Sequence, residues 1–390
     1  MAQQIISKLR KCPICCSEEK ELLYKRCFAA IERVTFMTRY DVVCCRNCGG
    51  VYADNIPNQK DFENYYSEVS KYEQTDNQIM GDSHYHDKAE FLSRGLVGRE
   101  ACILDVGCGN GYFLHELQKL GYRNLNGIDP SSVCAEYVQN MFGIPCLEGS
   151  FTELRHPAHE LRYDAIILYG VLEHLVNVAE ACEIISNSIK MNGLLFIGVP
   201  NTNDFNPYLN GPYQEFSTEH INYFCLASLE NLLVQYGFEL VLLDSLCNPG
   251  NIICGFKKSG IVKKIIKECY SKSNINRYIE KSMKLEKIIT NIISNCCDDE
   301  LIVWGTGTLT LYLLAERILS IERIKVFVDS NSHYIGGSFQ GIPIISPKEL
   351  LSYTEPILIS SFIWYDEIFI KIRSELKMDN EIISLKDSLI

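Results

Sequence analysis

The sequence is short of positive charge. Its 390 residues hold 37 Lys and Arg against 49 Asp and Glu, a formal net charge of −12. The basic face that usually grips a nucleic-acid backbone is missing, so no nucleic-acid partner is expected. Also missing is any apolar run of the ~18 residues a membrane-spanning helix needs. The opening Met1-Ala-Gln-Gln-Ile-Ile-Ser has no apolar signal core. The expected setting is therefore cytoplasmic, with no membrane partner. A disulfide framework is not expected either, although cysteine is abundant, at 18 residues. In a long chain kept reduced, paired cysteines point to metal. Hydrophobic residues make up 47% and charged residues 22%, an ordinary globular balance, and the length suggests two or three domains.

Two CxxC pairs stand near the start, Cys12-Pro-Ile-Cys15 and Cys45-Arg-Asn-Cys48. A CxxC turn aims two thiolates at one ion, and four thiolates satisfy tetrahedral zinc with no open position, the pattern of a structural site. Cys16 and Cys44 adjoin the pairs, so the ligand choice stays open by one residue. Val34, Phe36, Tyr40, Val42 and Val43 between the pairs are strand-like. A small zinc ribbon over residues 1–58 is the expectation. Residues 58–95 read as mostly helix, with Phe62, Tyr65, Tyr66, Tyr72 and Tyr85. Most of these aromatics are expected in the core, and Tyr72 is a candidate for the active site.

The middle of the chain, 59–256, is the most informative. Ile103, Leu104 and Val106 predict a buried strand. Gly107-Cys108-Gly109-Asn-Gly111 then turns into a helix near Tyr112. Glycines let a ligand approach the backbone, and helix amides face it. The acid Asp105 precedes the first glycine, unlike the GxGxxG of dinucleotide folds. Asp129 ends the next strand, about 20 residues on, placed to bind both ribose hydroxyls. Gly149-Ser150-Phe151 follows a third strand. Tyr163–Tyr169 forms a fourth, ending in Glu173-His174-Leu175. Gly193–Val199 forms a fifth, ending at Pro200-Asn201. Alternating strands and helices predict a parallel, doubly wound sheet with ligands at the carboxyl ends of its strands. This ordered set resembles the class I S-adenosylmethionine (SAM)-dependent methyltransferases. The resemblance implies a SAM site of Asp105, Gly107, Cys108, Gly109, Gly111, Asp129, Ser150, Phe151 and Tyr169.

Beyond the fifth strand come Phe216-Ser-Thr-Glu219-His220-Ile-Asn-Tyr223-Phe224, then a helix and a last apolar segment, Phe238–Leu243. A histidine can take a proton near neutral pH, and a buried glutamate can do the same. The whole layout resembles sugar C-methyltransferases that act on nucleotide-linked deoxysugars, which join a four-cysteine zinc domain, a SAM fold and a Rossmann-like carboxyl-terminal domain. That resemblance implies His220, Glu219, His174 and Tyr72 as catalytic residues, with Tyr223 and Asn201 near the sugar. It also implies loss of the C3 proton of a 4-keto sugar before carbon methylation. The runner-up is an oxygen or nitrogen methyltransferase. A third reading is a non-catalytic module that binds SAM and a nucleotide sugar.

Residues 257–390 read as a lysine-rich helix over 257–298, followed by a Rossmann-like unit. Leu301–Trp304 is a strand, Gly305-Thr-Gly307 a turn, and Asp329 ends the next strand. Gly305, Gly307 and Asp329 are candidates to contact a nucleotide sugar. The chain is expected to work as a monomer or homodimer.

Overall fold

A computed structural model describes residues 9–31, 36–68, 82–155, 162–244, 250–296, 300–331 and 334–386. Tyr72 and Val34 lie outside the described residues.

The amino-terminal part is a meander of three antiparallel strands, β1 (Lys20–Cys27), β2 (Arg39–Cys45) and β3 (Val51–Asp54). Every residue of β3 is buried, so this small sheet is covered on both faces. Two helices follow, α1 (Gln59–Glu68) and α2 (Asp82–Ser93).

The central unit alternates strand and helix as the pattern predicts. In order come β4 (Cys102–Val106), α3 (Tyr112–Lys119), β5 (Asn124–Asp129), α4 (Ser132–Phe142), β6 (Cys146–Glu148), β7 (Tyr163–Tyr169), α5 (Val178–Ser188) and β8 (Ile189–Pro200). A short helix α6 (Pro207–Asn210), the two-residue strand β9 (Asn222–Tyr223), α7 (Leu226–Leu233), β10 (Phe238–Asp244) and β11 (Asn251–Lys258) complete it. The seven strands lie in the order β10-β11-β8-β7-β4-β5-β6. Neighbours from β8 to β6 are parallel, whereas β11 runs antiparallel to both β8 and β10. The sheet is thus mixed rather than wholly parallel. Leu194–Val199 of β8 are buried throughout, as a strand covered by helices on both faces must be.

Strand β11 corrects the reading of a helix beginning at residue 257. Ile252-Ile253-Cys254-Gly255-Phe256 is a continuous buried run that fills the slot between β8 and β10. The long helix α8 (Tyr270–Asn295) starts only after an extended segment. The amino-terminal sheet also departs from a self-contained ribbon. Its fourth strand is β9, supplied from beyond the fifth strand of the central sheet and paired with β3.

The carboxyl-terminal unit holds β12 (Leu301–Trp304), α9 (Thr308–Ala315), β13 (Ile324–Val328), β14 (Ser338–Phe339), β15 (Ile342–Ile345), β16 (Ile357–Ile359), α10 (Tyr365–Ile370) and β17 (Ile382–Ser384). Its sheet order is β14-β15-β13-β12-β16-β17, parallel except for β14. One apolar cluster runs from the amino-terminal sheet through Phe216 and Tyr278 to Val303 and Phe327. The two end units therefore share a core. No helix among the described residues is long and apolar enough to cross a membrane.

Candidate active site

The turn after β4 is built to bring backbone close to a ligand. Gly107, Gly109 and Gly111 all take positive φ, at 74°, 54° and 75°, which other residues adopt only at a cost. A Cβ on Gly111 would meet Val138 at 2.6 Å, so α3 and α4 pack against bare backbone there. Asp129 is buried, and its carboxylate accepts from the amide of Gly109 (2.7 Å) and from that of Ser131 (3.0 Å). Asp105 is also buried. Desolvation, and then the charge of Asp129, hold its carboxyl well above the usual range. Two carboxyl groups thus lie at adjacent strand ends, at the mouth of the sheet. Cys108 sits in the turn, 3.5 Å from the thiol of Cys146. Ser150 bonds Thr152 (2.7 Å), while Phe151 packs into the core beneath them. Tyr169 lies flat on β8 where Gly198 has no side chain; a Cβ there would fall 2.2 Å from the ring.

A second group of side chains converges beyond β7. A single 3₁₀ turn, Leu172–His174, carries Glu173 and His174. The segment ahead of β9 carries Glu219 and His220. The rings of His174 and His220 lie 4.9 Å apart, edge to face. His174 Nδ1 is 3.1 Å from the carbonyl oxygen of Glu219 and 2.9 Å from the hydroxyl of Tyr66. Tyr65 donates to Glu219 Oε1 (3.1 Å). Glu173 is fully buried, and desolvation pushes its carboxyl up to about 8.

Of the predicted acceptor-side residues, the structure brings His174, Glu219 and His220 together. It places Tyr223 elsewhere: the side chain is in the core, and its hydroxyl pairs with that of Tyr40 at 3.1 Å. The β9 pairing turns this side chain inward. Asn201 bonds Asp204 across its own turn. Tyr65 and Tyr66 stand beside the histidines, although their sequence context reads as core aromatics. Adjacent tyrosines on one helix cannot both face the same core, which was the signal to be read.

The carboxyl-terminal unit also reaches this pocket. Tyr334 lies within electrostatic range of Glu219 and Tyr65. Nothing in its sequence context marks it. The Gly305–Gly307 turn is tight, with Gly305 at φ 106°. Asp329 accepts from the amide and hydroxyl of Thr306 (2.8 and 2.6 Å) and from the amide of Asn331 (2.9 Å). Its carboxylate is therefore already engaged in holding that turn.

The sulfurs of Cys12, Cys15, Cys45 and Cys48 lie within 4.8 Å of one another. Cys12 and Cys48 are 3.5 Å apart, and Cys15 and Cys45 are 3.4 Å apart. These gaps are far beyond a disulfide bond of about 2.05 Å. They approach the ~3.8 Å edge of a tetrahedron with zinc–sulfur bonds of 2.3 Å. Cys44 points away, its thiol donating to Gly49 O (3.4 Å), and Cys16 is exposed. The four sulfurs that converge are those of the two CxxC pairs.

Residues 82–243 match a family model described as "Methyltransferase domain". The match falls on the central unit. The match covers less than half of the chain and leaves both end units outside it. A probable S-adenosylmethionine-dependent methyltransferase of Mycolicibacterium smegmatis is 26% identical over 150 residues, 38% of this chain and 55% of that protein. The EEF1A lysine methyltransferase 2 of Danio rerio is 31% identical over 98 residues, 24% of this chain and 42% of that one. A tRNA U34 carboxymethyltransferase of Campylobacter jejuni is 23% identical over 145 residues, 36% and 50% of the respective chains. The chain thus spans about half the length of the curated relatives it matches.

Proposed function

We propose that this protein is a SAM-dependent methyltransferase acting on a small nucleotide-linked sugar, most simply the carbon beside a keto group. The observation that carries the reading is the meeting of Glu219, His220, His174, Tyr65 and Tyr66 next to the glycine turn, at the carboxyl end of β7 where such sheets bind ligands. SAM supplies an electrophilic methyl group on a positively charged sulfur. Asp129 would hold the ribose hydroxyls, and Asp105 would face the cationic side of the cofactor. His220 takes the proton from the carbon next to the keto group, and Glu219, tethered by Tyr65, is the alternative base. Tyr66 and His174 face the enolate oxygen that develops, where fixed donors stabilise charge most effectively. Gly305, Gly307 and Asp329 shape the turn proposed to meet the nucleotide, and Tyr334 closes the pocket from the same side.

Cys12, Cys15, Cys45 and Cys48 fit a structural zinc ion. Four buried or half-buried thiols from the loops before β1 and at the end of β2 bring their sulfurs within 4.8 Å of one another. Zinc takes no part in the transfer.

Mass spectrometry with SAM and a panel of keto and hydroxyl nucleotide sugars tests the reading. One added methyl on a keto sugar, with exchange of the neighbouring proton in heavy water, is the expected result. Methylation of hydroxyl sugars alone would establish the oxygen alternative, since the same histidine can deprotonate a hydroxyl. No methylation of any sugar, with SAM still bound, would remove this acceptor class.

A further inference from the structure

The turn after β7 and the segment ahead of β9 bring three ligand-type side chains to one point. Glu173, His174 and His220 each offer one oxygen or nitrogen, and these atoms lie within 4.8 Å of one another. Glu173 Oε1 is 3.9 Å from His174 Nε2, and the two imidazole rings stand 4.9 Å apart at 74°. The Glu173 side chain is only 5% exposed, and its Oε2 has no hydrogen-bond partner among the described residues. A buried carboxylate calls for a cation or for donors. Arg10 passes nearby, but its guanidinium serves the carbonyls of Leu175 and Val176. The proposed transfer gives Glu173 no task.

The backbone holds these side chains in a built site. Ile221 N donates to Glu173 O (2.8 Å), and Asn222 Nδ2 donates to the carbonyls of Leu172 and Leu175 (2.8 and 2.7 Å). The two segments are thus stitched together on either side of Glu173 and His174. Ser217 Oγ accepts from the amide of His220 (3.0 Å) and fixes the second segment. Around one tetrahedral zinc, nitrogen and oxygen ligands bound at about 2.0–2.1 Å stand ~3.4 Å apart. The observed spacings, 4.8 Å at most, exceed that edge by no more than ~1.4 Å, within reach of side-chain rotation. A ligating histidine gives its other ring hydrogen to an outer acceptor. With an ion on Nε2 of His174, Nδ1 carries that hydrogen, and the carbonyl oxygen of Glu219 (3.1 Å) and the hydroxyl oxygen of Tyr66 (2.9 Å) can both accept it. Both histidines make further interactions; an ion needs one lone pair from each and does not require them to lack other neighbours.

We propose that Glu173, His174 and His220 form a second divalent-metal site, separate from the four cysteines, that takes zinc or a similar borderline ion. Two imidazoles with one carboxylate suit zinc rather than magnesium or calcium, which prefer all-oxygen ligands. Three protein ligands leave a coordination position for water or for the acceptor. An imidazole bound to an ion through its lone pair cannot take a proton. The ion and a base at His220 therefore exclude each other, and an ion held here switches the transfer off. That consequence rests on the proposed reaction, in which His220 is the base; the site itself does not.

The test is zinc uptake by the full chain, measured by equilibrium dialysis and metal analysis, beyond the ion assigned to the four cysteines. A second ion is expected at micromolar free zinc. The difference between the one-ion and two-ion X-ray absorption spectra should show nitrogen and oxygen neighbours at about 2.0–2.1 Å, against sulfurs at about 2.3 Å for the cysteine-held ion. Glu173→Gln, His174→Asn and His220→Asn should each weaken the second ion at least ~10-fold, the loss that even an outer partner of a ligand causes, and leave the first in place. Near-ultraviolet circular dichroism establishes that each variant is folded. Uptake of one ion only by the wild type, a second ion held on sulfur, or a second ion that all three folded variants keep overturns the proposal. Uptake needs no acceptor, so a failure of the sugar reading leaves this result legible. Where a nucleotide sugar is methylated, the rate should fall as the second ion binds and return when dialysis removes it; uptake with the rate unchanged would overturn the competition between ion and base.

Discussion

Replacing Asp129 tests the cofactor assignment most directly. In the structure its carboxylate accepts two backbone amides, those of Gly109 and Ser131, from a buried position. In the complex it is assigned both ribose hydroxyls. A hydrogen bond to a charged group contributes about 1.5–3 kcal/mol. Asp129→Ala removes two such bonds to the ligand, and the glycine turn loses its anchor as well. Taking the lower figure for each bond gives ~3 kcal/mol, or about 100-fold in the dissociation constant. Asp129→Asn keeps the volume and one acceptor oxygen, so roughly a tenfold loss is expected. Isothermal titration with SAM or S-adenosylhomocysteine measures both. Near-ultraviolet circular dichroism establishes that each variant is folded. A folded Asp129→Ala that binds SAM within threefold of wild type would refute the placement of the ribose on this strand end.

Three other outcomes follow from the same geometry. Burial, and then the charge of Asp129, hold the Asp105 carboxyl well above the usual range, and a cationic ligand favours its ionised form; binding SAM should therefore release protons, and affinity should rise with pH, seen as buffer-dependent binding heats and a weaker dissociation constant at pH 6 than at pH 8. Zinc content should be one ion per chain and fall with Cys45→Ser or Cys12→Ser but not with Cys44→Ser or Cys16→Ser, as metal analysis by mass spectrometry would show; equal loss in all four variants would break the ligand assignment. Arg26 is wholly buried, with its guanidinium 4.3 Å from the Tyr312 ring centre and 4.5 Å from that of Phe28, and two of its nitrogens lack partners among the described residues. Arg26→Met, which fills the volume without a buried charge, should change unfolding free energy by less than about 1 kcal/mol, whereas Arg26→Ala should cost ~2–5 kcal/mol through the cavity it leaves; equal losses in denaturant titrations would mean that the cation itself joins the end units.

The parts legible in the sequence are those with a strong local signal. The glycine turn, Asp129 and the buried runs of β4, β7 and β8 announce themselves because a buried parallel strand is continuously apolar and a ligand-cradling turn needs glycine. The two CxxC pairs are legible for the same reason, since their spacing is the geometry. What stayed hidden depends on pairing across distance. Strand β11 contains Gly255 and runs into Lys257 and Lys258, so it reads as the approach to a lysine-rich helix. Only its position between β8 and β10 makes it a strand. Tyr223 looks like a site residue because it follows Glu219-His220, yet the β-sheet period of two sends it to the core side. Tyr334 lies more than 100 residues from Glu219 and comes near it only once the end units are packed.

The strand that hides Tyr223 also explains why a cysteine cluster accompanies a methyltransferase domain at all. Strand β9 is two residues long and has one partner, β3. It follows directly on Glu219, His220 and Ile221, so the angle at which His220 enters the pocket is set by the amino-terminal sheet. Arg10 ties the two together, donating to the carbonyls of Ala53 and Ile221 and to Asn222 Oδ1 from beside Cys12. A two-residue strand is too short to hold its own register, and a three-stranded meander of this size has little core of its own. A metal held by the four cysteines at the ends of that meander would therefore fix the position of the proposed base without touching it. The Gly107–Gly111 turn proposed to hold SAM is anchored by Asp129 rather than by the cysteines, although Leu104, Val106 and Ile128 of β4 and β5 share an apolar cluster with Cys12, Cys45 and Cys48. Loss of the metal is accordingly expected to remove turnover while SAM binding persists, and loss of both together would mean that the amino-terminal sheet supports the whole fold rather than the base alone.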